Sequence, residues 1–209
     1  MSDLDQTDRR HFLQKSILSG LVITSTSEVT AEIDQGVKDA EVTQDVDVLV
    51  VGGGTAGNVA AIQAGRAGAK TLIVERGAQL GGTTTTGGVA FPGLFDAWGK
   101  QVIAGIGWEL VKECVELDGG KFPNFAKVPK SHWQNQVYVN QFLFAILAEE
   151  KCEQAGVAIA YHEFPQSVQK TEMGWEVICV GFGTRRRVRC KQIIDCTGGA
   201  EVVGMLGLP

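Results

Sequence analysis

The stretch from Asp47 to Glu75 constrains the fold more than any other part of this sequence. It reads DVLVVGGGTAGNVAAIQAGRAGAKTLIVE, in which a β-branched run precedes a helical segment of small residues and a second apolar run. Short continuous apolar runs of this kind are typical of buried parallel strands. Strand, helix and strand in this order predict a complete βαβ unit.

Three glycines separate the first predicted strand from the helix, in the spacing G-x-G-x-x-G: Gly52, Gly54 and Gly57. The first allows a tight turn, the second lets a pyrophosphate approach the backbone, and the third lets helix and strand pack closely. The helix N-terminus offers free N–H groups and a positive dipole end to phosphates. Glu75 ends the second strand, where its carboxylate can accept hydrogen bonds from a ribose. The pattern therefore predicts a dinucleotide site.

Patterning further along the chain extends this α/β fold. Apolar residues at helical spacing predict a helix over 103–117 and a second over 139–155. The predicted buried face of the second helix consists of Val139, Phe142, Leu143, Ile146 and Leu147. Strands are predicted over 157–161, 175–180, 184–190 and 191–196, the middle two as a hairpin. Its arginines, Arg185, Arg186, Arg187 and Arg189, are interpreted as a solvated edge that discourages strand pairing.

Composition excludes several other classes of protein. The formal net charge of −5 argues against a nucleic-acid partner. The length of 209 residues suffices for one good hydrophobic core or for a domain and a half. None of the five cysteines forms a C-x-x-C pair, so the sequence predicts buried thiols and neither a metal site nor a thioredoxin-type motif. No catalytic base can be nominated.

The N-terminus resembles a twin-arginine export signal. Arg9 and Arg10 precede a weakly apolar stretch, 16–26, that is too short to span a membrane and fits a signal h-region. We predict a signal peptide over 1–30, an acidic linker over 31–44 and a nucleotide-binding domain over 45–209 with a partial insert at about 90–138. The predicted localisation is periplasmic or exported.

The loop that follows Glu75 reads RGAQLGGTTTTGGV. It is rich in turn residues and lies on the nucleotide side of the predicted sheet. Its glycine pair and hydroxyls could follow a pyrophosphate and a ribityl chain, although a plain Gly/Thr loop is the alternative. Disulfide reductases with a dinucleotide site of this kind carry a redox-active cysteine pair soon after such a loop. The loop here holds threonines instead, which argues against thiol–disulfide chemistry.

Three segments in this order resemble the FAD-dependent oxidoreductases of the glutathione-reductase-like flavoprotein class: VVGGGTAG with Glu75 downstream, LGGTTTTGG, and IIDCTGGAEVVGMLG. The resemblance covers roughly residues 45–209. It implies a Rossmann-like parallel sheet with a small antiparallel hairpin or meander in one crossover. The long gap before the third strand and the late Thr-Gly strand end match the FAD pattern better than the NAD pattern.

The resemblance also implies FAD as cofactor and a set of residues that contact it. The glycine turn would hold the pyrophosphate, Glu75 the adenosine ribose, Arg76 would lie beside the adenosine half, and Gly81-Gly82 would lead toward the isoalloxazine. Cys196 and Gly199 replace the alanine and aspartate usual at the last strand end. The complete predicted set is Gly52, Gly53, Gly54, Thr55, Ala56, Gly57, Glu75, Arg76, Gly81, Gly82, Thr83, Thr197 and Gly198.

The implied function is hydride transfer from an unknown small-molecule substrate to flavin. An unknown acceptor then removes the electrons from the flavin. Family members continue beyond the point that corresponds to Pro209, so we expect an incomplete sheet here and, as one option, a C-terminal half on a separate chain. Two alternatives remain open: a truncated, non-catalytic flavoprotein remnant and an NAD(P)-dependent dehydrogenase.

Overall fold

A computed structural model of the chain describes residues 40–208. The twin-arginine-like segment and residues 31–39 of the predicted linker lie outside the described residues. Within them, no helix is long and apolar enough to cross a membrane.

The elements follow the predicted α/β order. In chain order they are β1 (Ala40–Val51), α1 (Thr55–Arg66), β2 (Thr71–Glu75), β3 (Asp96–Ala97), β4 (Lys100–Gln101), α2 (Ile106–Leu117), α3 (Gln141–Gln154), β5 (Ala158–Tyr161), β6 (Glu163–Thr171), β7 (Gly174–Gly181), β8 (Thr184–Asp195) and α4 (Glu201–Met205). Short 3₁₀ turns occupy Gly82–Thr84 and His132–Asn135.

The described strands form a mixed sheet in the order β5-β2-β1-β8-β7-β6, and β3 and β4 form a separate small hairpin. The strands β5, β2, β1 and β8 run parallel, which confirms the predicted parallel sheet. The strands β6, β7 and β8 form the antiparallel meander that the resemblance implied. Because α1 connects β1 to the adjacent parallel strand β2, the glycine turn lies at the carboxyl edge of the sheet, where open α/β sheets bind ligands.

Apolar side chains leave the parallel strands alternately toward two hydrophobic clusters. Val50 and Ile73 point to the cluster formed with the three long helices α1, α2 and α3. Their neighbours Leu49 and Leu72 point to the opposite cluster, which contains residues of β7 and β8. This period of two along each strand buries both faces of the sheet, as expected for parallel strands. Four of the predicted thiols are buried and Cys196 is half-buried.

One long strand replaces the two strands that we predicted over 184–190 and 191–196. β8 runs unbroken from Thr184 to Asp195. Its first half pairs with β7 in the meander, while its whole length pairs in parallel with β1. The partner strand β1 starts at Ala40, so residues 40–44, which we assigned to the linker, belong to a strand.

The interpretation of the arginine run as a solvated edge is wrong. β8 is a central strand, flanked by β1 and β7, and carboxylates of β6 and β7 pair with Arg186 and Arg187. Arg186 forms two hydrogen bonds of 2.8 Å to the buried carboxylate of Glu163 on β6 and one of 2.9 Å to the side-chain oxygen of Gln44. Arg187 forms an ion pair with Glu176 at 2.8 Å. The partner of Arg186 could not be recognised from sequence because Glu163 lies 23 positions away, on a strand that no pattern predicted.

The predicted buried face of α3 is correct only in part. Leu147 is buried and Leu143 packs against the core, but Phe142 and Ile146 are 68% and 61% exposed. Phe144 and Ala148 are the buried residues that the prediction missed. Asn140 caps this helix by accepting hydrogen bonds from two first-turn amides, which moves its start to Gln141. The helix α2 begins at Ile106, three residues later than predicted, and follows Gly105, whose φ is +82°.

No sequence pattern predicted the strand β6. The strand carries Pro165 and mostly polar residues, and its pairing with β7 is irregular between Pro165 and Ser167. Proline is tolerated in a sheet at edge strands and bulges, and β6 is an edge strand. Its polar sequence therefore fits its position in the sheet.

We predict that the pair between Arg186 and Glu163 is essential for stability. The substitution Arg186→Met leaves the Glu163 carboxylate buried without its two-point partner, and this type of loss costs about 3 to 5 kcal/mol. Urea denaturation followed by circular dichroism measures the free energy of unfolding.

The control is Arg185→Met on the same strand, because the Arg185 guanidinium only contacts the exposed side chain of Gln166. We expect Arg185→Met to change the unfolding free energy by about 0.5 kcal/mol or less. Equal effects of the two substitutions would contradict a special role of the buried pair.

Candidate functional site

Direct backbone contacts shape the turn between β1 and α1. Gly52 has φ of +98°, and a Cβ atom at this position would collide with the carbonyl oxygen of Cys196 at the end of β8. A Cβ atom on Gly57 would collide with the carbonyl oxygen of Gly52. Both positions therefore need glycine for packing within the protein.

The loop after β2 lies directly on this turn. The amide of Gly81 donates a 2.8 Å hydrogen bond to the carbonyl of Gly53, and the hydroxyl of Thr55 donates a 3.3 Å hydrogen bond to the carbonyl of Gly81. Gly82 has φ of +53°, and a Cβ atom there would lie 2.8 Å from the Cα atom of Gly54. The two glycine-rich segments that the sequence singled out are thus in contact.

The threonine run in this loop divides between the interior and the surface of the site. Thr84 and Thr85 are buried, and the Thr85 hydroxyl donates a 2.7 Å hydrogen bond to the carbonyl of Leu80. Thr83 and Thr86 instead line the cavity described below. The Thr85 hydroxyl therefore helps to hold the loop in shape, while Thr83 and Thr86 face the cavity.

Asp195 fixes the third segment of the site, the loop after β8. Its carboxylate accepts hydrogen bonds from the amide and hydroxyl of Thr197, at 3.0 and 2.7 Å, and from the amides of Val202 and Val203 at 3.0 and 3.1 Å. Burial acts to raise the pKa of Asp195, but these four hydrogen bonds outweigh it and lower the pKa below its ordinary value.

These segments surround a cavity of about 550 Å³, within the range of small-molecule sites. The lining residues are Val51, Gly52, Gly54, Thr55, Ala56, Val74, Glu75, Arg76, Gly77, Gly82, Thr83, Thr86, Gly87, Glu163, Phe164, Pro165, Cys196, Thr197, Gly198 and Glu201. Ten of the thirteen predicted site residues are among them. The other three, Gly53, Gly57 and Gly81, lie behind the surface and support its backbone.

The geometry at Gly54 fits a phosphate group. A Cβ atom on Gly54 would meet no protein atom within 4 Å, so this backbone borders open space in the cavity. Gly54 is also the N-cap of α1, and the first turn of this 12-residue helix contains no acidic residue. Its first amides have no partner within the helix and form the positive end of the helix dipole. A negatively charged pyrophosphate is the group that such a surface accommodates.

Glu75 lies at the cavity wall with its carboxylate held in place. One oxygen accepts a hydrogen bond from the amide of Gly53 and the other from the amide of Gly77, both at 2.6 Å. A carboxylate has further lone pairs, so it can still accept hydrogen bonds from a ribose. The neighbouring Arg76 is 72% exposed and forms an ion pair of 3.6 Å with Glu201 on α4.

Sequence reasoning missed one part of the lining: Glu163, Phe164 and Pro165 at the start of β6. No motif marks these residues, and only the meander topology brings them to the cavity. Cys196 also lines it, and burial, assisted by the charge of Asp195, raises the pKa of its thiol. The thiol is therefore protonated at neutral pH, which agrees with the absence of a thiol–disulfide motif in the sequence.

Comparison with known proteins decides the family. The family described as FAD dependent oxidoreductase matches residues 47–209, which is most of the chain. The chain belongs to this family. FAD is the cofactor that defines these oxidoreductases, and the matched range contains all of the cavity residues described above.

Individual curated relatives are more distant. The digeranylgeranylglycerophospholipid reductase of Methanococcus vannielii is 26% identical over 156 residues, covering 74% of this chain and 38% of that reductase. Mitochondrial dihydrolipoyl dehydrogenase of Caenorhabditis elegans is 58% identical over only 41 residues, 20% of this chain and 8% of that enzyme. The chain therefore spans well under half the length of these curated relatives.

Solved structures share the fold. The anhydrotetracycline hydroxylase OxyS from Streptomyces rimosus aligns with a TM-score of 0.55 at 20% identity, covering 78% of this chain and 34% of that one. THI4 from Thermovibrio ammonificans aligns with a TM-score of 0.53 at 15% identity, covering 91% and 69%. At these identities the likeness shows that this chain shares the α/β fold of the two proteins, and it shows the fold alone.

We predict that Asp195 makes stability dependent on pH in the acid range. Its pKa is lower in the folded chain than the ordinary value of 3.8, so its contribution is present above that value and is lost as the pH falls through the folded pKa. Melting temperatures measured between about pH 6 and pH 2 should fall less steeply in Asp195→Asn than in the parent chain. Parallel pH profiles would contradict this assignment.

Proposed function

We propose that this chain binds FAD in the cavity at the carboxyl edge of the sheet and acts as an FAD-dependent oxidoreductase on a small-molecule substrate. The open space in front of Gly54, at the N-terminus of α1, carries the proposal because it places a phosphate-binding surface between Glu75 and the Thr197-Gly198 loop. When bound, FAD supplies the redox chemistry, and the protein supplies position and electrostatics.

The residues of the chain have separate roles in this proposal. The amides of Thr55 and Ala56 bind the pyrophosphate, and Gly54 leaves space for it. Glu75 accepts hydrogen bonds from the adenosine ribose. Thr83 and the Thr197-Gly198 loop contact the part of the cofactor that leads toward the flavin. Asp195 positions that loop through its bonds to Thr197.

We propose, more narrowly, that the protein belongs to the glutathione-reductase-like class. The FAD-binding domain, predicted over 45–209, then starts with β1 at Ala40 and has an insert at about 90–138. The glycine turn followed by Glu75, the antiparallel meander and the late Thr-Gly loop support this proposal.

We predict that Gly54→Ala removes FAD binding and leaves the fold intact. The new methyl group enters open space inside the protein but occupies the position of the pyrophosphate. The measurement is the flavin absorption that survives desalting after the purified 209-residue chain has been mixed with FAD.

The control is Gly204→Ala, because Gly204 lies exposed on α4, outside the cavity lining, and its added Cβ also meets nothing within 4 Å. We expect this variant to retain FAD like the parent. A parent that retains NAD(H) and no flavin would favour the dehydrogenase alternative, and a folded parent that retains neither cofactor would favour the non-catalytic remnant.

We also propose that the chain is exported through the twin-arginine route to the periplasm or beyond. The support is the sequence around Arg9 and Arg10 and the apolar stretch after them. The double substitution Arg9→Lys/Arg10→Lys should keep the protein in the cytoplasm, as measured by immunoblots of cell fractions. Unchanged export of this variant would remove the localisation.

A further inference from the structure

The small hairpin of β3 and β4 carries a strained, exposed tryptophan at its tip. The two residues that join its strands, Trp98 and Gly99, have φ values of +49° and +75°. A two-residue hairpin loop with positive φ at both positions favours Asn-Gly, and a bulky residue with positive φ is a conformational outlier. The Trp98 side chain is 84% exposed, and among the described residues no aromatic ring packs against it. Neither the backbone nor the core therefore accounts for a tryptophan at this position.

A second segment of the chain lies beside this tip. A Cβ atom added to Gly99 would lie 3.6 Å from the carbonyl oxygen of Phe125 and 3.7 Å from that of Ala126. The next two residues, Lys127 and Val128, are exposed, and Val128 is 68% exposed. The surface formed by these two segments is called the tip surface below, and it consists of Trp98, Lys100, Lys127 and Val128.

Buried contacts anchor the base of the hairpin. Asp96, the first residue of β3, is 6% exposed and accepts hydrogen bonds of 3.0 and 3.3 Å from the side-chain amide of Asn135. The preceding Phe95 is buried, and its ring centroid lies 4.9 Å from that of Trp108 on α2. Because the base is packed into the protein, the tip presents Trp98 to the solvent on a fixed support.

The charge around the tip surface is opposite in sign to that of the whole chain. Residues 97–105 and 119–135 contain four lysines and no acidic residue, whereas the chain has a formal net charge of −5. All four lysines are exposed and form no ion pair within the described residues: Lys100, Lys121, Lys127 and Lys130. An extended anionic surface repels an acidic protein as a whole, so it is approached by the basic face.

We propose that the tip surface docks this protein on an anionic lipid bilayer, with Trp98 in the interfacial layer and the lysines against the headgroups. Tryptophan is enriched at membrane–water interfaces, and lysines near a membrane are attracted by anionic lipids. A single ring at a hairpin tip can enter such an interface by itself. A stable protein partner would need about 800 Å² of closely packed surface with an apolar core, which four side chains at a tip do not provide.

The test measures sedimentation of the full 209-residue chain with vesicles of phosphatidylcholine alone and of phosphatidylcholine mixed with phosphatidylglycerol. The variants are Trp98→Asn and the double substitution Lys100→Gln/Lys127→Gln. The first control is Phe182→Ala, which removes an 87% exposed ring from the turn between β7 and β8. The second control, Lys112→Gln/Lys170→Gln, removes two exposed lysines outside the tip surface. Circular dichroism melting curves report whether each variant is folded.

We expect the parent chain to bind the anionic vesicles and to be released from them as the salt concentration rises. The double lysine variant should bind about 25-fold more weakly, because each lysine near an anionic surface contributes about fivefold. Trp98→Asn should bind about tenfold more weakly, since a large apolar side chain no longer enters the interface. Asparagine suits the positive φ, so this variant should melt no lower than the parent. Both controls should bind like the parent.

A merely structural role of Trp98 predicts a lower melting temperature of Trp98→Asn and unchanged binding, and this result overturns the inference. Unchanged binding would assign the vesicle contact to another part of the chain, such as the apolar stretch 16–26. Equal binding of the parent to both vesicle types also overturns it. A parent that remains in solution with both overturns it and leaves an acidic protein as the occupant. None of the substituted residues lines the cofactor cavity, so these outcomes leave the proposed function unaffected.

Discussion

The fold depends on the close approach of three backbone segments at one point. The carbonyl group of Cys196 at the end of β8 packs against Gly52, the carbonyl of Gly52 packs against Gly57 on α1, and Gly82 packs against Gly54. Side chains at these positions would separate the strand, the helix and the loop. Since protein interiors are close-packed and transmit strain, a small separation here would alter both the sheet and the cavity above it. These glycines thus serve the architecture first, and Gly54 is the one among them at which an added Cβ atom would meet no protein atom within 4 Å.

Sequence reasoning succeeded where a local pattern encodes the structure. The βαβ unit, the parallel strands and the cavity-lining role of the glycine turn follow from short apolar runs and from glycine spacing. The Thr197-Gly198 loop was predicted from the family resemblance, and it also lines the cavity. It failed where partners are distant. The arginine run of β8 was interpreted as an exposed edge because Glu163, the partner of Arg186, lies on β6, which no sequence pattern predicted. For the same reason Phe164, which no motif marks, was missed as a wall of the cavity.

Charge is distributed unevenly around the site. The wall near Glu75 and Glu163 is acidic, but both carboxylates are already engaged, by amides in one case and by Arg186 in the other. The α1 end carries the positive pole of a helix dipole and no acidic residue. The end of the cavity at α1 is therefore the part of the lining that suits a negatively charged group.

The pairing of β1 with β8 has a consequence for how the chain folds. Gln44 and Arg186, which meet across these two strands, lie 142 positions apart in the sequence. Until β8 has been synthesised, one edge of the apolar strand β1 has no neighbour, and unpaired apolar edges are sites of aggregation. Pairings over such long distances also slow folding, because the entropy of closing the intervening loop is lost first. Among the strand pairs of the sheet, β1 with β8 is therefore the one whose formation closes the longest loop and costs the most chain entropy.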